Sequence, residues 1–131
     1  MRQIKIIIEK NKDGYWAFSN EEESITGGGD TPQACKQDVL DCIETLKTFD
    51  DKNHPAFLNE PYELVFKFDT VSLLEYYKGI FTNAAFERLT GINQKQIQHY
   101  SSGNKKPRIE KRKKIEEALH KLGKELLSVE L

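Results

Sequence analysis

The apolar pattern of this 131-residue chain changes its period once, near Asp69, and that change limits the folds open to it. Up to Phe68 the apolar residues come in short runs and alternations suited to strands, interrupted by one helical stripe. Beyond Asp69 every apolar repeat has helical spacing. A period of two buries one face of a sheet, and a period near 3.6 buries one stripe of a helix, so the two stretches call for different packing. The expectation is an α+β protein, with a β-β-β-α-β module over residues 1–69 and an all-α module over residues 70–131.

In the first module, Ile4 to Lys10 is isoleucine-rich and reads as a strand. Asn11-Lys12-Asp13-Gly14 carries Asp-Gly turn chemistry, which pairs that strand as a hairpin with a second one, Tyr15 to Ser19. Ser24 to Gly27 is a third short strand ending in Gly27-Gly28-Gly29, where the backbone must approach something closely or turn tightly. Thr31 can cap a helix, and Pro32 suits its first position. Cys35, Val39, Cys42, Leu46 and Phe49 then form one stripe of a helix predicted to run to about Lys47. Asp50 to Pro61 contains two prolines and reads as loop. Tyr62 to Phe68 alternates, with Tyr62, Leu64, Phe66 and Phe68 on one face of a fourth strand.

The second module reads as four helices. Ser72 to Lys78 carries Leu73, Leu74 and Tyr77, and Gly79 breaks it. Thr82 caps Asn83 to Leu89, with Phe86 and Leu89 inward, and Gly91 ends it. Asn93 caps Gln94 to about Ser101, with Ile97 and Tyr100 inward. Gly103 and Pro107 punctuate the next loop, and a last helix starting near Arg108 places Ile115, Leu119, Leu122 and Leu126 on one stripe.

Charge divides at the same point. Residues 1–69 hold 8 Lys/Arg and 14 Asp/Glu, net −6, whereas residues 70–131 hold 12 and 7, net +5. Opposite signs point to modules with different partners, the basic one suited to a polyanion. No run is apolar enough for a transmembrane helix, and the N-terminus lacks the long apolar core of a signal peptide. These features predict a cytoplasmic protein with no membrane partner. Cys35 and Cys42, seven apart, form neither a C-x-x-C pair nor a disulfide framework, and both read as buried reduced thiols on one helix face. No metal site is expected, because no acidic or histidine ligand accompanies them at the right spacing. His54 and His120 read as surface residues. Tyr15 and Trp16 read as core or sheet packing. No catalytic residue is assigned either. The carboxylates Glu9, Asp13 and Glu21-Glu22-Glu23 sit at a strand end, in a turn and in a loop, without the convergence that acid/base or two-metal chemistry needs. The glycine run lacks the G-x-x-x-x-G-K-[ST] pattern of a phosphate cradle. No cofactor follows from the sequence.

The segment Thr82 to Ser101 has the spacing of two short helices joined by a glycine turn. A second helix that enters a major groove needs long polar residues at its N-terminus, and here these are Gln94, Lys95 and Gln96, with His99 one turn on. Glutamine can bond adenine N6 and N7 together, and lysine can donate to guanine O6 or N7. Lys105, Lys106 and Arg108 follow at positions suited to phosphates. Between Arg88 and Lys114 there are 9 Lys/Arg and one acidic residue.

TNAAFERLTGINQKQIQHYSSGNKKPR resembles the Xre/Cro-type helix–turn–helix, including its Gly-Ile-Asn turn and its Ser-Ser-Gly-Asn-Lys-Lys-Pro exit. The resemblance implies base contact by Gln94, Lys95 and His99, and phosphate contact by Asn83, Lys105 and Lys106. The sequence departs from the pattern at Glu87, where many relatives carry alanine at a close helix crossing. DGYWAF followed by ITGGGDTPQACKQDVLDCIETL resembles the HicB antitoxin domain, whose helix starts at a Gly-Asp-Thr, here Gly29-Asp30-Thr31. That resemblance implies a partial ribonuclease-H-like N-terminal fold that binds a HicA-like ribonuclease toxin, joined to a DNA-binding half that represses the operon. An RNA-binding toxin should present a basic face, so Glu21, Glu22, Glu23, Asp30 and Asp38 are the candidate toxin-binding residues. Double-stranded operator DNA is the expected second partner. A homodimer or higher homo-oligomer is expected, because such proteins read two half-sites. Leu119, Leu122, Leu126 and Leu127 on the last helix, or a strand edge of the N-terminal sheet, are the candidate contacts. The alternative is a stand-alone Xre-like transcriptional regulator whose N-terminal domain dimerises or senses a ligand.

Overall fold

Ile4, Ile6 and Ile8 are fully buried in the computed structural model, while Lys5 is exposed and Ile7 half-buried. This alternation fixes the inner face of strand β1 (Arg2–Asn11), which carries the rest of the N-terminal unit. The structure describes residues 1–50 and 52–131; Asp51, inside the expected Asp50–Pro61 loop, lies outside the described residues. The described residues divide into two compact units, Met1–Asp69 and Thr70–Leu131. The architecture is α+β, with a four-stranded mixed sheet in the first unit.

β1 pairs antiparallel with β2 (Gly14–Phe18), opposing Lys10 to Tyr15 and Ile8 to Ala17. β2 pairs antiparallel with β3 (Thr26–Gly29), and β4 (Tyr62–Phe68) lies parallel to β1, giving the order β3-β2-β1-β4. A parallel neighbour needs a crossover, and α1 (Pro32–Leu46) supplies it. The Asp50–Pro61 stretch includes a short 3-10 turn, Ala56–Asn59, whose Phe57 is buried edge-on against Tyr62 at 5.3 Å between ring centroids.

The third strand begins later than the sequence suggests, at Thr26 rather than Ser24, and absorbs the glycine run. The glycines are there because α1 presses on this strand. A Cβ on Gly27 would fall 2.7 Å from Val39 Cγ2 and 2.9 Å from Val39 N. A Cβ on Gly29 would fall 2.8 Å from Ala34 Cβ and 2.9 Å from Cys35 N. Gly28 faces the other way, and its nearest neighbour would be the Tyr15 carbonyl at 3.5 Å. β3 is an edge strand, and its Gly28 N–H donates to Asp38 Oδ2 at 2.8 Å, so α1 also satisfies a backbone group that the sheet leaves free.

The buried stripe of α1 is Pro32, Cys35, Val39, Ile43 and Leu46. Cys42 and Phe49 belong to the expected stripe but not to this one. Positions 42 and 43 flank the same side of a helix, and burying isoleucine removes more apolar area from water. Cys42 is half-buried, its Sγ donating to the Ser24 carbonyl at 3.5 Å, and Phe49 lies past the helix end, 45% exposed. Both thiols are free. Burial pushes the Cys35 thiol up, and the nearby Asp38 carboxylate adds to the shift.

The second unit consists of α2 (Thr70–Tyr77), α3 (Asn83–Thr90), α4 (Gln94–Ser101) and α5 (Ile109–Leu127). Its core is Leu74, Phe86, Ile92, Ile97, Tyr100 and Ile115, with Leu73, Tyr77, Phe81 and Leu119 packed against it. Leu122 is half-buried and Leu126 is 60% exposed, so the expected α5 stripe is only partly covered. α5 has 19 residues against eight in each of α2, α3 and α4, and its last turns extend beyond them. Among the described residues no helix is long and apolar enough to cross a membrane.

The contact between α1 and β3 predicts a graded response to added methyl groups. Gly27→Ala and Gly29→Ala should each destabilise the N-terminal unit by about 1–3 kcal/mol through overpacking. Gly28→Ala should stay within about 0.5 kcal/mol, because its added methyl meets the Tyr15 carbonyl only at ordinary contact distance. Trp16, the single tryptophan, lies in β2, so its fluorescence in urea reports this unit. Equal midpoints for the three variants would show that α1 does not press on β3.

Candidate nucleic-acid interface

The start of α3 is fixed by Thr82, whose Oγ1 accepts the Ala85 N–H at 3.0 Å. Its end is fixed by Gly91, which sits in the left-handed region at φ 76° and donates its N–H to the Glu87 carbonyl at 2.8 Å. Thr90 ties the turn together, donating from Oγ1 to the Phe86 carbonyl at 2.7 Å and accepting the Ile92 N–H at 3.1 Å. Ile92 is buried, and Asn93 then caps α4 by accepting the Lys95 N–H at 2.8 Å. Three residues, Gly91 to Asn93, therefore connect α3 to α4, and none is free to choose its conformation.

The rotation of α4 is set by Ile97, Tyr100 and Ser101, all buried. Gln94, Lys95 and Gln98 face outward and are exposed, while Gln96 and His99 are half-buried at the sides. Of the four residues that the sequence singles out for base contact, Gln94 and Lys95 thus share one open face. Gln98 joins them there. The first-turn rule for groove contact passes over Gln98, although its i, i+4 spacing from Gln94 places the two on one face. Gln96 lies elsewhere, lining an open cleft of about 540 Å³ with Tyr100, Lys105, Lys106, Arg108, Glu110 and Lys111.

The cleft is shaped by the loop after α4. Gly103, at φ 82°, donates its N–H to the Tyr100 carbonyl at 3.2 Å, and the Lys105 N–H donates to the His99 carbonyl at 3.2 Å. Pro107 is buried as an anchor, while Lys105, Lys106 and Arg108 stay exposed on either side of it. Arg108 is also the residue from which α5 starts. Four cations around one cleft at a helix N-terminus give a strongly positive surface, which the single carboxylate Glu110 offsets only in part.

Two polar ties connect α4 to its neighbours. Asn83 Nδ2 donates to Gln98 Oε1 at 2.7 Å, and Lys78 Nζ reaches the same oxygen at 3.5 Å. Asn83, singled out for phosphate contact, is therefore half-buried and engaged within the unit, and its own Oδ1 is buried with no hydrogen-bond partner among the described residues. Gln94 Nε2 donates to Glu87 Oε2 at 3.2 Å.

The five acidic residues that the sequence singles out for toxin binding separate in use. Glu21, Glu23 and Asp30 are exposed. Glu22 pairs with Arg2 at 2.7 Å, and Asp38 holds the Gly28 N–H. Ser19 Oγ shapes the acidic loop by accepting the Glu21 and Glu22 N–H groups at 3.2 Å each. Among the described residues no group of three or more His, Cys, Asp or Glu side chains is placed to hold a metal ion. No protein-family model, curated protein or solved structure matches the chain.

The orientation of α4 depends on a well-formed α3, so its cap has a measurable consequence. Thr82→Ala leaves the Ala85 N–H without its acceptor and should cost the C-terminal unit about 1 kcal/mol. Thermal unfolding followed by far-ultraviolet circular dichroism should show the loss. An unchanged transition would mean that the start of α3 does not depend on this cap.

Proposed function

We propose that this chain is a two-module antitoxin and autorepressor of the HicB type, with a C-terminal Xre-like helix–turn–helix unit that binds operator DNA. The observation that carries the reading is the face of α4: Gln94, Lys95 and Gln98 point outward together, beside the cleft of Lys105, Lys106, Arg108 and Lys111. In this reading α4 is the recognition helix. An exposed row of two amides and an ammonium offers the donors and acceptors that base edges in a major groove require. The adjacent cations have no sequence to read. They hold the duplex by its phosphates and set its register. Gln96, in the cleft wall, belongs with that holding group, and His99 flanks the reading face.

The N-terminal unit has a complementary role in the proposal. Its net charge of −6 suits a basic partner, and Glu21, Glu23 and Asp30 are exposed, as is Asp38 while it holds the Gly28 N–H. Such a surface would be drawn to the RNA-binding face of a HicA-like toxin and would cover it. Glu22 and Asp38 act at one remove, by fixing the loop and the edge strand that present the others. A cytoplasmic homodimer binding two half-sites about one helical turn apart completes the proposal.

The test of DNA binding uses the full-length chain and a pool of randomised duplexes. Selection should return a defined half-site. Gln94→Ala with Lys95→Ala should lower affinity for that site by on the order of tenfold to a hundredfold, weaken binding to unrelated duplex far less, by the loss of one cation, and leave the circular dichroism spectrum unchanged. Lys105→Ala with Lys106→Ala should weaken all duplexes alike. It should also flatten the plot of log affinity against log salt by about two units of slope. Unchanged affinity and specificity in the first variant would remove α4 as the reading helix. For the N-terminal unit, co-purification from the native cell should recover a small basic ribonuclease. Recovery of the chain without one would favour a stand-alone regulator.

A further inference from the structure

Glu87 is an unusual residue for a surface that approaches a polyanion. It lies on α3, half-buried, one turn before Gly91, and its carboxylate reaches across to the first residue of α4. A side chain placed there only for solubility would point away from the neighbouring helix. Glu87 instead accepts a hydrogen bond from Gln94 Nε2 at 3.2 Å.

That bond limits what Gln94 can say to a base. A free glutamine has two N–H donors and one carbonyl acceptor, and rotation about its last bond presents them in either sense. It can offer a donor and an acceptor together, which matches N7 and the N6 amino group of adenine. It can also turn both N–H groups toward two acceptors, which matches N7 and O6 of guanine. With one N–H held by Glu87, only one donor remains beside Oε1. The amide is then fixed in the mixed donor–acceptor sense.

We propose that Glu87 is a positioning and specificity-determining residue, whose carboxylate holds the Gln94 amide so that it reads adenine and rejects guanine. The inference rests on the DNA-binding reading of α4 given above. It adds the base class that one residue of that helix selects and the neighbour that enforces the choice. The carboxylate gives up some general affinity for phosphates in exchange for a defined base preference.

The experiment is the same selection from randomised duplexes, carried out on full-length wild-type chain, Glu87→Ala and Glu87→Gln. Wild type should show one position per half-site at which adenine is preferred to guanine by on the order of tenfold, the scale of a bidentate contact. Gln94→Ala should erase that preference and so identify the position. Glu87→Ala should reduce it to about twofold or less, while binding to unrelated duplex becomes equal or tighter because a negative charge has gone. Glu87→Gln keeps an acceptor without the charge and should retain most of the preference. An unchanged adenine preference in Glu87→Ala would overturn the inference and leave the DNA-binding reading intact. So would its loss in Glu87→Gln, which would make charge rather than the hydrogen bond responsible. A wild-type chain that selects no sequence at all would overturn both.

Discussion

One apolar cluster decides what the C-terminal unit can present to a partner. Leu74 of α2, Phe86 of α3, Ile92 of the turn, Ile97 and Tyr100 of α4, and Ile115 of α5 all meet in it. Each such side chain stabilises the fold by roughly 1.5–3 kcal/mol on burial, so no helix can rotate without losing a contact worth that much. α4 is only eight residues long and could not hold a helical shape alone. Its existence and its orientation come from the same few contacts. Once Ile97 and Tyr100 are inward, Gln94, Lys95 and Gln98 have to face out.

The polar groups around α4 then refine an orientation already set. Asn83 steadies Gln98, Glu87 steadies Gln94, and Asn93 caps the helix from its own side chain. Exposed glutamines ordinarily sample several rotamers, and ordering one on binding costs about 0.5–1.5 kcal/mol. Side chains that are tied beforehand give up less on meeting a ligand. In the proposed reading, these ties prepare the reading face while the exposed cations of the loop supply affinity. The acidic surface of the N-terminal unit is organised in a similar way. Ser19 and Arg2 hold the Glu21–Glu23 loop, and Asp38 closes the edge of β3, which leaves Glu21, Glu23 and Asp30 in solvent.

Much of this could be anticipated from local chemistry. Asp-Gly marked the first hairpin, Thr31-Pro32 marked α1, and Thr82, Gly91 and Asn93 marked both ends of the turn between α3 and α4. Each works through atoms within a few residues of itself, which is why it can be recognised without the fold. The alternation of Tyr62 to Phe68 and the isoleucines of β1 are equally local signals. What failed were choices among near-equivalent positions. Cys42 and Ile43 both border the α1 stripe, and only the sheet beneath determines which goes under. Gln96 and Gln98 are both polar and both on α4, yet one lines the basic cleft and the other shares the face of Gln94. The glycine run did signal a close approach of backbone, but nothing local showed that the run lies within β3 or that α1 is what approaches it.

By itself the sequence determined the kinds and order of the elements, the change of period at Asp69, and the opposite charges on its two sides. Periodicity, caps and net charge are properties of neighbouring residues, so they are legible without coordinates. Tertiary structure decided the register of β3 under α1, the exposure of the last turns of α5, and the pairing of Glu87 with Gln94. Those depend on which surfaces meet between different elements, and that is settled by volume and by the few hydrogen-bond geometries that remain once the apolar side chains have packed. Glu87 shows the difference most clearly. In the sequence it is a departure from the alanine of the family it resembles, and in the fold its carboxylate is the group that holds Gln94.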